Sequence, residues 1–300
     1  MDAGTTPVDA GLRDAYLARL GWDDVPEPSL DTLFALHRAQ VARVPYESVW
    51  IALGERRKID PLSSMRYLTS GDGAGGYCYH LNGAFSLLLE WLGFQVRRHL
   101  GGVQPHPSAA NPSPAPGANG NHLAVTVVGF PDPRSPDGGW LIDAGLGDGL
   151  YEPLPLITGT YDQGPFHYGL RPSEVNAGGW RFDHDARLSF VGFDYRSGPV
   201  AIEEFEERHR FLMTSPDSGY VRVVTAQRRE ANGIDTLRGR VLSRLGDDDG
   251  REHVVADRSE WQSVLGDMFG ISLAGVEHDT IDGVWSRVCA AHEAFLAAGG

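Results

Sequence analysis

Gly73-Ala74-Gly75-Gly76-Tyr77-Cys78-Tyr79-His80-Leu81-Asn82-Gly83-Ala84-Phe85 is the stretch from which the rest of the chain is best read. Glycines close one element, and a helix-like run from Leu81 to Leu92 opens just after. Cys78 therefore falls at or near a helix N-terminus. Unpaired backbone N–H groups and the helix dipole favour an anion there. A thiol so placed gives up its proton more readily, and the thiolate is the nucleophile. The structural alternative is a cysteine that simply packs in a core. The other members of a catalytic set must decide between the two.

Outside this stretch the bulk properties are those of a soluble globular protein. The chain has 300 residues, 41% hydrophobic and 22% charged, enough for one large or several small domains. Its net charge of −14 argues against nucleic acid or an anionic membrane as a partner. The two cysteines, Cys78 and Cys289, form no disulfide framework, and no Cys/His spacing suggests a metal. Residues 1–20 lack a signal-peptide apolar core, and no apolar run reaches membrane-spanning length. A cytoplasmic protein is expected.

The first hundred residues read as helices. Ala15 to Gly21 is a short helix stopped by glycine. Ser29 opens a second, with Leu30, Leu33, Phe34, His37, Val41 and Val44 at helical spacing before Pro45. Asp60-Pro61 reads as an N-cap followed by proline at the first helical position. Strand patterns follow at Phe94–Leu100, His122–Val128, Trp140–Ile142, Trp180–Phe182 and Leu188–Phe193, which predicts an antiparallel sheet or small barrel. Gln104 to Asn121, rich in Pro, Ala, Asn and Gly, reads as a mobile surface loop, either an insertion or a lid. A helix is expected over Ile202–Arg210, then strands over Tyr220–Gln227 and Thr236–Leu245. A C-terminal helix carries Ile281, Val284, Trp285, Val288, His292, Phe295 and Leu296 on one stripe, with Cys289 packed beside it.

A thiolate nucleophile needs a base, and the base needs an orienting group. His122 opens an apolar strand, and Asp143 follows the strand Trp140-Leu141-Ile142. A hairpin through Pro131 to Gly139 would set the two side by side on one face. Taken singly, the histidine is an ordinary half-exposed residue and the aspartate a turn former. Their order and context point to chemistry: Cys at a helix start, His on a strand, Asp on the next.

On these residues the chain resembles the arylamine N-acetyltransferase family. The resemblance includes Tyr16-Leu17-Ala18-Arg19-Leu20-Gly21, His37-Arg38, Val44-Pro45-Tyr46-Glu47, Gly75-Gly76-Tyr77-Cys78 with Leu81-Asn82-Gly83, and His122-Leu123. It continues through Asp143-Ala144-Gly145-Leu146-Gly147-Asp148-Gly149, Glu152-Pro153-Leu154-Pro155-Leu156 and Thr214-Ser215-Pro216. It implies an α+β, three-part cysteine-acyltransferase fold. A helical bundle with the nucleophile spans 1–95, a β-barrel with His and Asp spans 96–205, and an α/β lid with the C-terminal helix spans 206–300. It also implies a catalytic set of Cys78, His122 and Asp143. The family moves an acetyl group from acetyl-CoA through the cysteine to an arylamine or hydrazine nitrogen. Tyr77, Val103 and Leu146 are expected to bind substrate, and backbone N–H groups near Val103 and Cys78 are candidate oxyanion donors.

Three positions depart from the family pattern. Ala74 stands where an Arg is usual, and His80 where a Glu is usual; loss of both together suits an ion pair in relatives, since a lone buried charge is costly. His80 is expected to be a hydrogen-bonded structural residue. Leu146 replaces the usual phenylalanine and softens the acceptor wall. No tightly bound cofactor is expected, and an acyl-CoA or acyl-carrier-protein thioester is the donor substrate. Some relatives release a polyketide or peptide chain from a carrier protein as a macrolactam or a Dieckmann-type tetramate ring, so a cyclase is the alternative. A papain-like or transglutaminase-like hydrolase shares the Cys, His, Asp order, while a binding scaffold would have no need of a thiolate beside a His–Asp pair. Gly71 to Gly76 lacks the Lys-Ser/Thr of a P-loop, and the eleven histidines form no zinc motif.

Overall fold

The computed structural model describes residues 6–71, 73–108, 111–247 and 250–298. Helices Ala10–Leu20, Leu30–Arg43, Val49–Ala52, Pro61–Leu68 and Cys78–Trp91 come first. Their ends follow local chemistry. The side chains of Asp9, Ser29 and Asp60 accept N–H bonds in the first turns they cap, and Gly21 ends the first helix at φ 85°. Thirteen of the fourteen residues of Cys78–Trp91 are buried, so this helix is central and is covered on all sides. Each large apolar side chain it buries contributes roughly 1.5–3 kcal/mol.

Eight antiparallel strands form the second part. In spatial order they are Leu154–Pro155, Trp140–Leu141, His122–Val128, Gln95–Pro105, Phe190–Pro199, Trp180–Asp183, Phe166–Pro172 and Gly159–Gln163. The two edge strands are consecutive in sequence, so the sheet curls round into a nearly closed barrel. Its inner face is lined by Phe166, Tyr168, Leu170, Phe182 and Phe193. The outer face of His122–Val128 packs on the nucleophile helix through Leu123, Val125 and Val127.

The third part is a five-stranded antiparallel sheet in the order Tyr46–Glu47, Thr225–Glu230, Gly233–Arg238, Val241–Gly246, Arg251–Val254. Helices Arg258–Phe269 and His278–Ala297 pack on it around Trp261 and Leu265. Tyr46–Glu47 belongs to the helical segment of sequence, so this strand ties the first part to the third. No helix among the described residues is long and apolar enough to cross a membrane.

Several elements differ from the sequence reading. The nucleophile helix begins at Cys78 itself, not Leu81. The apolar run expected as one strand, Tyr220–Gln227, opens as a helix, Gly219–Arg222, because Ser218 caps it by accepting the Tyr220 N–H at 3.2 Å. Thr236–Leu245 is two strands, broken at Gly239, whose φ of 60° makes the turn. The segment Ile202–Arg210 is a 3-10 turn to Phe205 followed by a helix to Thr214. The hairpin Gly159–Gln163/Phe166–Pro172 and the helix Arg258–Phe269, capped by Asp257, were not anticipated. The expected loop Gln104–Asn121 is partly strand and is held at both ends; its residues 109 and 110 lie outside the described residues. Gln104 Nε2 donates to the Pro114 carbonyl at 2.7 Å, the Ala118 N–H to Asn176 Oδ1 at 3.0 Å, and Tyr79 Oη to the Gly120 carbonyl at 2.7 Å.

Candidate active site

Three elements meet at one point. Cys78 is the first residue of its helix, and the preceding loop is drawn close to the segment behind it. At Gly75 any Cβ would fall 2.0 Å from the Pro45 carbonyl oxygen, so only glycine fits. Buried Glu47 anchors the loop by accepting the Gly75 N–H at 3.2 Å and the Val49 N–H at 2.6 Å. Burial raises the Glu47 carboxyl above its ordinary pKa, against the opposing pull of Arg57.

His122–Val128 and Trp140–Leu141 pair antiparallel with Thr126 opposite Leu141, and the Ile142 N–H bonds to the Val125 carbonyl at 2.9 Å. That register puts His122 and Asp143 on the same face as diagonal neighbours. His122 Nε2 lies 2.5 Å from Asp143 Oδ2, and both side chains are buried. The imidazole packs on Phe193 with ring centroids 4.8 Å apart. Its Nδ1 makes no hydrogen bond of good geometry. Burial alone drives an imidazole towards neutrality; Asp143, together with Cys78, outweighs it and pushes His122 up to about 10. The ring is therefore cationic at neutral pH, with a sulfur on one side and a carboxylate on the other. Such a series can pass a proton between the sulfur and a bound substrate.

Two asparagines hold this arrangement, and sequence reasoning assigned neither of them a role. Asn82 lies one helical turn past Cys78. Its Nδ2 donates to Asp143 Oδ1 at 2.8 Å and to the Leu123 carbonyl at 2.6 Å, and its Oδ1 accepts the Ala144 N–H at 3.0 Å. Asn121 bonds both ways to the Val103 backbone, accepting its N–H at 2.6 Å and donating to its carbonyl at 3.1 Å. The Val103 N–H is thus engaged, which removes it from the candidate oxyanion donors. The i, i+4 spacing of Asn82 from Cys78 was the available signal for the first asparagine.

A cavity of about 280 Å³ opens over the sulfur. Val103, Leu146 and Phe190 supply apolar wall, Tyr46, Asp148 and Tyr220 polar wall, and exposed Arg208 a rim. Of the three residues expected to bind substrate, the structure brings Val103 and Leu146 to the cavity and turns Tyr77 away. Tyr77 is fully buried between Trp50 and Tyr220, and its hydroxyl is bonded to His209. Being the residue before the helix, it points back into the bundle while Cys78 points forward. Cys289 is half-buried on the C-terminal helix and does not line the cavity. No cluster of metal-ligating side chains occurs among the described residues.

A family model described as N-acetyltransferase matches residues 29–278. The chain belongs to the arylamine N-acetyltransferase family. It is 29% identical over 269 residues to the arylamine N-acetyltransferase of Mycolicibacterium smegmatis, covering 86% of this chain and 91% of that one. The solved M. smegmatis arylamine N-acetyltransferase superposes with a TM-score of 0.79 at 25% identity, over 93% of this chain and 98% of that one. The Mycobacterium marinum enzyme, solved in complex with CoA, superposes with a TM-score of 0.77 at 24% identity, over 92% and 98%.

As a member of this family the chain is an acyltransferase. Its departures from the family pattern have local explanations. Ala74 and His80 are both buried, and the cation near the loop is Arg57, which donates to the Gly75 carbonyl at 3.1 Å and lies over the Trp50 ring at 5.2 Å. His80 is structural; neither ring nitrogen makes a hydrogen bond of good geometry, and its polar neighbour is the Lys58 backbone. It packs by its edge on Trp50, Tyr77 and His209 instead, and burial, with His209 and Arg57, keeps it neutral.

Proposed function

We propose that this arylamine N-acetyltransferase family member transfers an acyl group from an acyl-CoA thioester, through an acyl-Cys78 intermediate, to the nitrogen of a small amine. The observation that supports this reading above all is the His122–Asp143 contact of 2.5 Å beside a cysteine at a helix N-terminus. In the first step His122 Nδ1 holds the proton from Cys78, and the sulfur attacks the thioester carbonyl carbon. The tetrahedral intermediate expels the CoA sulfur, which takes that proton from His122. In the second step the acceptor nitrogen attacks acyl-Cys78. His122 accepts the nitrogen's proton, the C–S bond breaks, and the proton returns to Cys78. Asp143 keeps Nε2 protonated and Nδ1 facing the sulfur throughout.

The cavity of about 280 Å³ over the sulfur accommodates one small acceptor. The test is intact mass spectrometry of the protein mixed with acetyl-CoA and no acceptor. A 42-dalton class adduct, roughly one acetyl group, is expected on Cys78 in a peptide map and absent from Cys78→Ala. An adduct on Cys289, or none with any acyl-CoA, overturns the reading.

A further inference from the structure

Asp148 is 4% exposed, yet it lines the same cavity as Cys78 and His122. Its Oδ2 accepts the Ser189 N–H at 2.8 Å, and no Lys, Arg or His side chain pairs with its carboxylate among the described residues. The charged and titratable groups around it are otherwise engaged. Arg229, buried in the neighbouring sheet, donates to the carbonyls of Gly149 at 3.2 Å and Gln163 at 2.9 Å, and lies over the Phe166 ring. His184 Nε2 contacts the Asp148 backbone carbonyl at 3.0 Å; His184 and Arg229 both feel the Asp148 charge, but neither makes an ion pair with its carboxylate. Arg208 stands at the exposed rim.

The two tyrosines of the cavity complete this lining. Tyr46 and Tyr220 place their hydroxyls 2.5 Å apart. Tyr46, Tyr220 and Asp148 line the same cavity, and the Asp148 charge, after burial and Cys78, helps to raise both phenols. The cavity thus joins the reacting groups Cys78 and His122 to a buried carboxylate and two phenol oxygens on one lining. Leu146 and Val103 form apolar wall of the same cavity.

Arg229 lies near enough to temper the Asp148 charge, but no cation pairs with the carboxylate directly, and a carboxylate removed from water still gains from a partner at hydrogen-bond distance. Its oxygens accept N–H donors in a geometry that suits an ammonium, amidinium or guanidinium. We propose that Asp148 selects the acceptor, and that the acceptor is a cationic amine: one neutral nitrogen attacks acyl-Cys78 while a second, charged nitrogen group pairs with Asp148. The inference rests on the acyl-transfer reading for its chemistry, but the site itself is defined by the cavity.

Three acceptors of one shape and different charge test it: 4-aminobenzamidine, 4-aminobenzamide and 4-aminobenzoate, assayed with saturating acetyl-CoA. The cationic member is expected to exceed the anionic one in kcat/KM by about tenfold or more. Asp148→Asn keeps an oxygen for the Ser189 N–H and removes the charge. It is expected to compress that ratio by about tenfold, and the ratio rather than the rate is the readout. Calorimetric binding of benzamidine and benzoate to both proteins gives the same comparison without turnover. Loss of acyl-Cys78 formation in the wild type would overturn the transfer reading alone, because the binding ratio still decides Asp148. Equal binding and equal kcat/KM for the three charges, preference for the carboxylate, or an unchanged ratio in Asp148→Asn would overturn the proposal.

Discussion

Asn82 Nδ2 stands 2.8 Å from Asp143 Oδ1, on the helix that begins with Cys78. One side chain therefore links the element carrying the sulfur to the group that orients the imidazole. Asp143 is held at three points: His122 on one oxygen, and Asn82 and the Gly145 N–H on the other.

Asn82→Ala is accordingly expected to act as the loss of a positioning residue. It leaves the Leu123 carbonyl and the Ala144 N–H buried without their partner, at a stability cost of about 1–3 kcal/mol in urea unfolding. With one of the three holds on the Asp143 carboxylate gone, kcat should fall by about 10²-fold and the pH profile of Cys78 alkylation should move, with little change in KM. A pH profile identical to wild type would show that Asn82 is only structural.

Gly145→Ala should cost more than its single methyl suggests. The added Cβ would fall 2.6 Å from Asn82 Nδ2 and 2.9 Å from the Cys78 Cα. The loop must retreat, carrying Asp143 with it. The expected loss is about 1–3 kcal/mol of stability together with most of the activity. Thermal unfolding and acyl-adduct formation, measured on the same sample, separate the two effects.

His122 gives a pH signature whose sign follows from its shift. Its ordinary pKa of 6.5 is raised to about 10 in the folded protein. The folded state binds the proton more tightly, so this contribution to stability is fully present below the ordinary value. It declines as pH rises between the two values and is gone above about 10. The difference in urea stability between wild type and His122→Gln should shrink steadily across that window. A pH-independent difference would mean that the imidazole is neutral in the fold.

Asp143→Asn removes the charge that opposes burial, so the buried imidazole should revert towards neutrality. Turnover is expected to fall on the order of 10⁴-fold with the fold retained, because the amide also favours the wrong tautomer. Circular dichroism and kcat together test this, and near wild-type kcat would make Asp143 a turn former alone.

Leu146 carries the expectation about the acceptor wall. It lines the cavity where the family usually has phenylalanine, and an aliphatic side chain forgoes aromatic pairing worth about 1 kcal/mol. Uncharged arylamines are expected to be poor acceptors, with Leu146→Phe lowering their KM by about fivefold. Fast acetylation of several neutral arylamines by the wild type would contradict this.

Much of the fold was legible because its signals are local. Ser29 and Asp60 act as helix caps where their side chains say they should, and glycines end helices and turn strands, although the first helix opens at Ala10 under Asp9, five residues before the expected Ala15. The errors arose where local and tertiary preferences conflict. Tyr220-Val221-Arg222-Val223 has strand composition, yet Ser218 caps it as a helix that walls the cavity. Helix Arg258–Phe269 buries only Trp261, Val264, Leu265 and Phe269, a sparse stripe that stands out less in sequence than the long C-terminal one.

The sequence by itself placed Cys78 at or near a helix N-terminus, His122 at the start of an apolar strand and Asp143 just after a later strand, since capping, turn and alternation rules act over a few residues. Only the tertiary structure decided which side chains share the cavity. Tyr77 faces away, the Val103 N–H is taken by Asn121, and Asp148 enters without an ion-pair partner beside a tyrosine pair whose members lie 174 positions apart. Those outcomes depend on how a helix, a barrel and a second sheet pack together, and contacts at that separation leave no periodic trace along the chain.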